Sequence, residues 1–222
     1  MNLFVRLVFA ISLGFICYVP SVYSQSSFML VKKNGHYYTD ATINDNAIIP
    51  IFVETGFHGM VVSVEWYNRI LATLPLKEIK LQKEEHLHTD RTTRRIVKLF
   101  KGKVPVGDLM YEGRIFVVDT NEDYVTIPVN LLKSEADSTV CLIRFDFKKN
   151  VLDYVRKEEA SLGKMHQYTL VENDPMPIFE ATIELSDALG HQFTKFGKFN
   201  FDLGNGSSVF FFRRTMLPAL KE

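Results

Sequence analysis

Two stretches far apart in this chain end an apolar, strand-like run in the same way: a carboxylate, one residue, then a glycine. "AIIPIFVETG" reaches Glu54-Thr55-Gly56, and "FGKFNFDLG" reaches Asp202-Leu203-Gly204. Each lies at the end of a hairpin pattern that opens on the same three residues, Ala41–Ile43 and Ala181–Ile183. The shared order of features reads as a weak internal repeat. A chain so built is constrained to two related hairpins whose returning strands each deliver an acid and a glycine to a strand end.

The rest of the sequence is dominated by strand signals. "HYYTDATI" (His36–Ile43) alternates, and Asn44-Asp45-Asn46 supplies a turn back into Ala47–Glu54. Met60–Leu74 passes from a β-branched run to a short helical pattern in which Trp66, Ile70 and Leu74 share one face. Gly102, Gly107 and Gly113 are expected to mark turns between short strands. Further strand patterns lie within Tyr124–Leu132 and Ser138–Val155, followed by a polar connector and the second, longer hairpin with "DALG" as its turn. The expected organisation is residues 25–157 as one mainly β lobe with a short helix, 158–176 as connector, and 177–222 as the beginning of a second, incomplete lobe.

Composition narrows the function. The 222 residues are 46% hydrophobic, enough for one good core or two small ones, with 26 basic and 26 acidic residues. That balance gives no electrostatic footprint for nucleic acid. His86 and His88 alternate with Asp90 within the most charged stretch, Glu78–Arg95. Without a further ligand in sequence reach they read as solvated surface, so neither a metal nor a cofactor is expected.

The first 24 residues read as a signal peptide. Arg6 precedes the apolar run Leu7–Val19, too short for a membrane span of about 18 residues but within the roughly 7–15 of a signal core. Pro20 ends the run, and Val22-Tyr23-Ser24 fits a cleavage site that leaves Gln25 first. A lipid anchor on Cys17 is disfavoured by Ile16, where a small residue should stand. The expectation is export to a periplasm or the exterior, with no membrane span after cleavage. Cys141 then remains alone, so no intramolecular disulfide staples the fold.

Two carboxylates brought together at loop tips share one proton, because like charges a few Å apart cannot both ionise. The ionised member can take a proton from water while the protonated one donates to a substrate carbonyl, which is general acid–base peptide hydrolysis. Glu54 and Asp202 are the candidate pair. Gly56 and Gly204 would let the two backbones approach, and Thr55 could brace the loops with its hydroxyl.

The ordered set "HYYTDATI…IPIFVETG", "VGDLMYEGRIFVVD" and "IPVNLL…VCLIRFDFKKNVL" resembles the retropepsin/pepsin clan of aspartic peptidases in its single-lobe, retropepsin-like form. The likeness covers about Met29–Val155 and resumes near Pro177. It implies a closed β-barrel lobe, an extended peptide as substrate or ligand, and a charged segment leading into a flap over the cleft. It also implies a homodimer as the other route to a second carboxylate. The departures are specific. Glu54 replaces the family's Asp, and its extra methylene displaces the carboxylate by roughly 1.5 Å. Phe57 stands where a small residue belongs, Leu203 has no bracing hydroxyl, and Ile127-Pro128-Val129 lacks the expected glycine. The chain ends at Glu222, where a second complete lobe would need roughly 80–100 further residues. Together these departures favour a degenerate, weakly active or inactive homologue. The alternative from another class is a non-catalytic exported β-rich module that binds peptides or serves as a scaffold.

Overall fold

The protein, seen as a computed structural model, is described for residues 27–44, 47–88, 92–156, 158, 178–186 and 190–204. The expected signal segment with Cys17, the expected connector residues 159–176, the "DAL" of the expected second turn, Asp90 and all residues after Gly204 lie outside the described residues. The fold is mainly β, as expected. No described helix is long and apolar enough to cross a membrane.

The first hairpin forms where its alternation places it. β1 (Ser27–Met29) and β2 (Val31–Lys33) precede β3 (His36–Ile43), which pairs antiparallel with β4 (Ala47–Glu54). Ile49, Ile51 and Val53 turn into the core while Phe52 and Glu54 stay partly exposed. A slip of one residue would turn all three core side chains outward, at about 1.5–3 kcal/mol each, so the register is fixed. The alternation therefore decides which way Glu54 faces.

β5 (Gly59–Ser63) follows the Glu54 loop and is buried throughout. Its partner is not β4. β10 (Val125–Pro128) lies between the two, parallel to β4 with Pro128 opposite Glu54, and antiparallel to β5 at Thr126 and Val61. The loop from Thr55 to His58 must therefore cross the end of a strand, spanning about two spacings of 4.8 Å. Beyond β5, Ser63 caps a short helix, α1 (Val64–Trp66), by accepting from the Trp66 N–H. α1 runs into a π-helical turn at Tyr67–Leu71, closed by Ala72 N–H to the Tyr67 carbonyl. Ile70 is buried and Trp66 and Leu74 pack on the core as expected, and the wider turn brings Leu71 inside as well.

β6 (Lys77–Ile79) and β7 (His86–His88) both pair with the long β8 (Thr93–Val106), which pairs along its length with β9 (Leu109–Val118). Two of the three expected glycine turns are corrected here. Only Gly107 turns the chain, with φ +56; Gly102 and Gly113 face each other across the β8–β9 ladder. Their lack of a Cβ makes room instead. Leu76 packs over Gly102, where a Cβ would stand 2.6 Å from Cδ2, and the Tyr111 hydroxyl sits over Gly113.

The closed barrel is corrected too. Pairings run from β11 (Leu132–Lys133) through β9, β5, β10, β4 and β3 to β8, with β8 also joined to β9. The β3–β8 seam, however, is one Cα pair, Ile43 with Val106, so the sheet is not closed into a true barrel. Two hydrogen bonds flank that pair, Asn44 N–H to the Pro105 carbonyl and Gly107 N–H to the Thr42 carbonyl, and the Asn44 side chain holds the turn to the Ile70 carbonyl.

A smaller sheet, β1–β13–β12, covers the core, built on the hairpin of β12 (Val140–Asp146) and β13 (Val151–Arg156). Tyr154 is buried there and donates to the Val129 carbonyl at 2.6 Å. Asp153 accepts two hydrogen bonds from Arg144 and one from Ser27. The second hairpin, β14 (Ile178–Ser186) and β15 (Gln192–Asn200), is a separate two-stranded ribbon. Its exit from β15 leads directly to the second motif.

Candidate active site

Glu54 is the last residue of β4, on the face opposite the core side chains Ile51 and Val53, and Thr55 follows fully buried at 2% exposure. The longer glutamate side chain curls back over its own loop. Its Oε1 accepts from the backbone N–H of Thr55 at 2.7 Å and of Gly56 at 2.5 Å. Backbone N–H groups at this sharp turn would otherwise lack partners, so the curl satisfies them as well as fixing the carboxyl.

The second motif docks on this loop through a hydroxyl and an apolar side chain. The Thr55 Oγ1 donates to the Phe201 carbonyl at 2.6 Å and accepts from the Leu203 N–H at 2.9 Å. One hydroxyl thus uses both its donor and its acceptor capacity on the residues flanking Asp202. Leu203 itself is 7% exposed and belongs to the main hydrophobic cluster, with Ile51, Val53, Ile127 and Tyr111 among its members. Leu203, where the sequence reading expected a bracing hydroxyl, therefore anchors the motif by burial, and Thr55 hydrogen-bonds to both of its flanking residues.

The two carboxyls meet. Glu54 and Asp202 share a side-chain hydrogen bond, and the Asp202 Oδ1 also accepts from the Gly204 N–H at 2.9 Å. The glycines face the opposite acids. A Cβ on Gly56 would lie 2.4 Å from the Asp202 Cγ, and one on Gly204 would lie 1.7 Å from the Glu54 Oε2. Neither distance is possible for a real side chain, so both glycines are required by the close approach. Burial, the hydrogen bond to Asp202 and the negative charge of Asp202 push the Glu54 carboxyl up to about 8, against the opposing pull of the Gly56 and Thr55 N–H groups. Asp202 is the solvent-exposed member of the pair.

The flanking residues take structural parts. Phe57, read from sequence as a misfit, packs its ring on Phe116 at 5.5 Å and joins a second cluster with Val61, Leu87, Ile96 and Leu99. It ties the Glu54 loop to the base of the β7–β8 arm. His58 is exposed with its ring against Phe57. Pro128, in the tripeptide that lacks the expected glycine, lies beside Glu54 with extended backbone, while Ile127 and Val129 are buried.

The arm itself pairs His86–His88 with Thr93–Arg95. Arg94 forms an ion pair with Glu122, which also accepts from the Tyr124 hydroxyl, and Arg95 pairs with Asp119 at 2.9 Å. His86 and His88 are exposed, with Glu84 3.5 Å from His86 and Thr93 3.1 Å from His88. No three His, Cys, Asp or Glu side chains gather to hold a metal among the described residues.

No protein-family model matches the chain, and no curated protein matches it. Among solved structures it is similar to a retropepsin-like aspartic protease from Rickettsia conorii. Identity is 16%, the match covers 60% of this chain and 97% of the other, and the TM-score is 0.34.

Proposed function

We propose that this chain is an aspartic-peptidase-like hydrolase whose carboxylate dyad, Glu54 and Asp202, is assembled within one polypeptide and cleaves peptide bonds through an activated water. One observation carries the reading: two acids brought by separate hairpins are hydrogen-bonded to each other, each facing the other motif's glycine. A surface ion pair or an ordinary Asp-Gly turn has no need of that reciprocal clearance. Thr55, Gly56 and Gly204 support the pair; they do not take part in the proton transfers.

The substrate class follows from the surroundings. The β7–β8 arm stands over the same cluster that anchors the Glu54 loop, and an extended peptide could add along it as a strand. We include export ahead of this activity, on the signal-like residues 1–24. The intrachain pair makes a second copy's Glu54 unnecessary, so a homodimer is not part of the proposal. Nucleic acid is likewise not a proposed partner, given the balanced charge.

A second reading, a peptide-binding module without turnover, is favoured by one feature. The Glu54 Oε1 is turned back onto its own loop by two N–H groups, which leaves one oxygen of that carboxyl for chemistry. Hydrolysis of a peptide library by the purified chain, followed from acid to mildly alkaline pH, separates the two. The dyad reading expects cleavage that disappears in both Glu54→Gln and Asp202→Asn. Peptide binding without cleavage by folded wild-type protein would put the module in its place.

A further inference from the structure

Resting on the proposal that an extended peptide lies over this lobe, we infer a subsite for the acidic side chains of that peptide, built from Lys77, Lys101 and Arg114. The strand registers place the three in a row. Lys77 of β6 stands directly opposite Lys101 of β8, and Lys101 directly opposite Arg114 of β9. Side chains paired in this way share one face of a sheet, about 5 Å apart. All three are exposed, and among the described residues none of them forms an ion pair. Lys103, the next cation on that face of β8, is answered by Glu135 at 2.6 Å and has Glu112 opposite it. Like charges directly opposite one another destabilise a sheet. Two such contacts in succession are relieved when carboxylates bind.

The same registers join the row of cations to the dyad. Arg114 pairs with Gly59 of β5, and Val61, two residues on, pairs with Thr126 of β10. Pro128, two residues beyond Thr126, pairs with Glu54. Side chains alternate along a strand, so the cations and Glu54 lie on one face, with uncharged Gly59 and Pro128 between them. An apolar row runs beside the cations on that face, from Ile79 through Leu99 and Phe116 to Val61, and Leu87 of the β7–β8 arm belongs to the same cluster.

Spacing fixes which part of the peptide meets the cations. From β4 across β10 and β5 to β9 is three strand spacings of about 4.8 Å, or about 14 Å, and through β8 to β6 about 24 Å. An extended peptide advances about 3.3 Å a residue, so residues about four to seven positions from the bond held at the dyad reach the row. Charge and continuity together choose the occupant. The apolar row takes uncharged side chains, and the cations beside it take glutamate or aspartate on the same peptide.

Two fluorescein-labelled peptides test this, identical except for glutamate or glutamine about four to seven positions to either side of an apolar centre. Binding is read by anisotropy on the full chain, carrying Glu54→Gln if the peptides are cut. The glutamate peptide should bind about tenfold more tightly at low salt, as expected for three solvent-exposed ion pairs, with the ratio falling toward one as salt screens them. A triple variant, Lys77→Gln with Lys101→Gln and Arg114→Gln, should lose the preference without losing thermal stability, since it removes repulsion. Lys101→Glu alone should weaken the glutamate peptide and strengthen a lysine-bearing one. Equal affinities in the unsubstituted row, or a preference that survives the triple change, would overturn the subsite. So would inorganic polyphosphate that binds through the three cations while the peptides are indifferent to them. The two proposals fail separately: preference without cleavage counts against the hydrolase alone, cleavage without preference against the subsite alone, and binding of neither peptide against both.

Discussion

Gly204→Ala is expected to abolish peptide cleavage by parting the Glu54 and Asp202 carboxyls. The added methyl would stand 1.7 Å from the Glu54 Oε2 and 2.5 Å from its Cδ, an overlap that no rotamer of the new side chain can avoid. Overpacking of this sort costs about 1–3 kcal/mol when the surroundings can shift. Residues 201–204 are held by the Thr55 hydroxyl and by Leu203 in the core, whereas the overlapping atoms end the Glu54 side chain, so the cheaper response is for the Glu54 carboxyl to swing away from its partner. The lobe should stay folded, because the other residues of its main cluster lie between Leu30 and Tyr154. Gly197→Ala is the matched control. It lies on the strand that leads to the motif, and its nearest neighbour is 3.8 Å away, so a change within about 0.5 kcal/mol is expected. Thermal unfolding with cleavage assays on both variants decides the matter. Equal activity in the two would show that the glycines do not face opposing acids.

Thr55→Val is expected to have the next largest effect, by a different route. Valine keeps the shape but deletes the oxygen that donates to Phe201 and accepts from Leu203. At 2% exposure of Thr55, water cannot replace it. Each buried group left unmatched costs about 1–3 kcal/mol. The loss falls on the docking of the second motif, and a displacement of about 1 Å there costs on the order of 100-fold in rate. Amide exchange at Leu203 should accelerate with kcat falling more than KM rises, while Thr55→Ser restores both. Unchanged Leu203 protection in the valine variant would mean that leucine burial alone seats the motif.

The sequence displays local features well and tertiary ones poorly, and particular elements show why. β3 and β4 fall where the alternation of His36–Ile43 and Ala47–Glu54 places them, because a half-buried strand writes its register into every second residue. Glu54 was legible for the same reason, as the acid ending such a strand, and Asp202 as an acid before a glycine just beyond β15. The insertion of β10 between β4 and β5 was not, since a parallel pairing across more than seventy residues leaves no local signature. Gly102 and Gly113 looked like turn residues because glycine signals both freedom and space, and only the packing of Leu76 and Tyr111 distinguishes the two. Leu203 looked like a lost hydroxyl; its role as an apolar anchor depends on a core formed by distant strands. One local signal went unread. Asn34-Gly35, with φ values of 53 and 86, is the two-residue turn that joins β2 to β3.

The contact between Glu54 and Asp202 is the claim on which the rest depends. A double-mutant cycle on unfolding stability, run from pH 4 to 9 with Glu54→Gln, Asp202→Asn and the double variant, addresses it without requiring turnover. Glu54 rises in the folded chain from an ordinary 4.5 to about 8, so between those values the folded state holds a proton that the unfolded state has released. Stability from this group is therefore full below about 4.5 and falls as pH climbs toward about 8. The account predicts that this decline disappears in Glu54→Gln, is reduced in Asp202→Asn, and that the two substitutions couple by about 0.5–3 kcal/mol near pH 6. Additive effects, with the same pH slope in all four proteins, would contradict it.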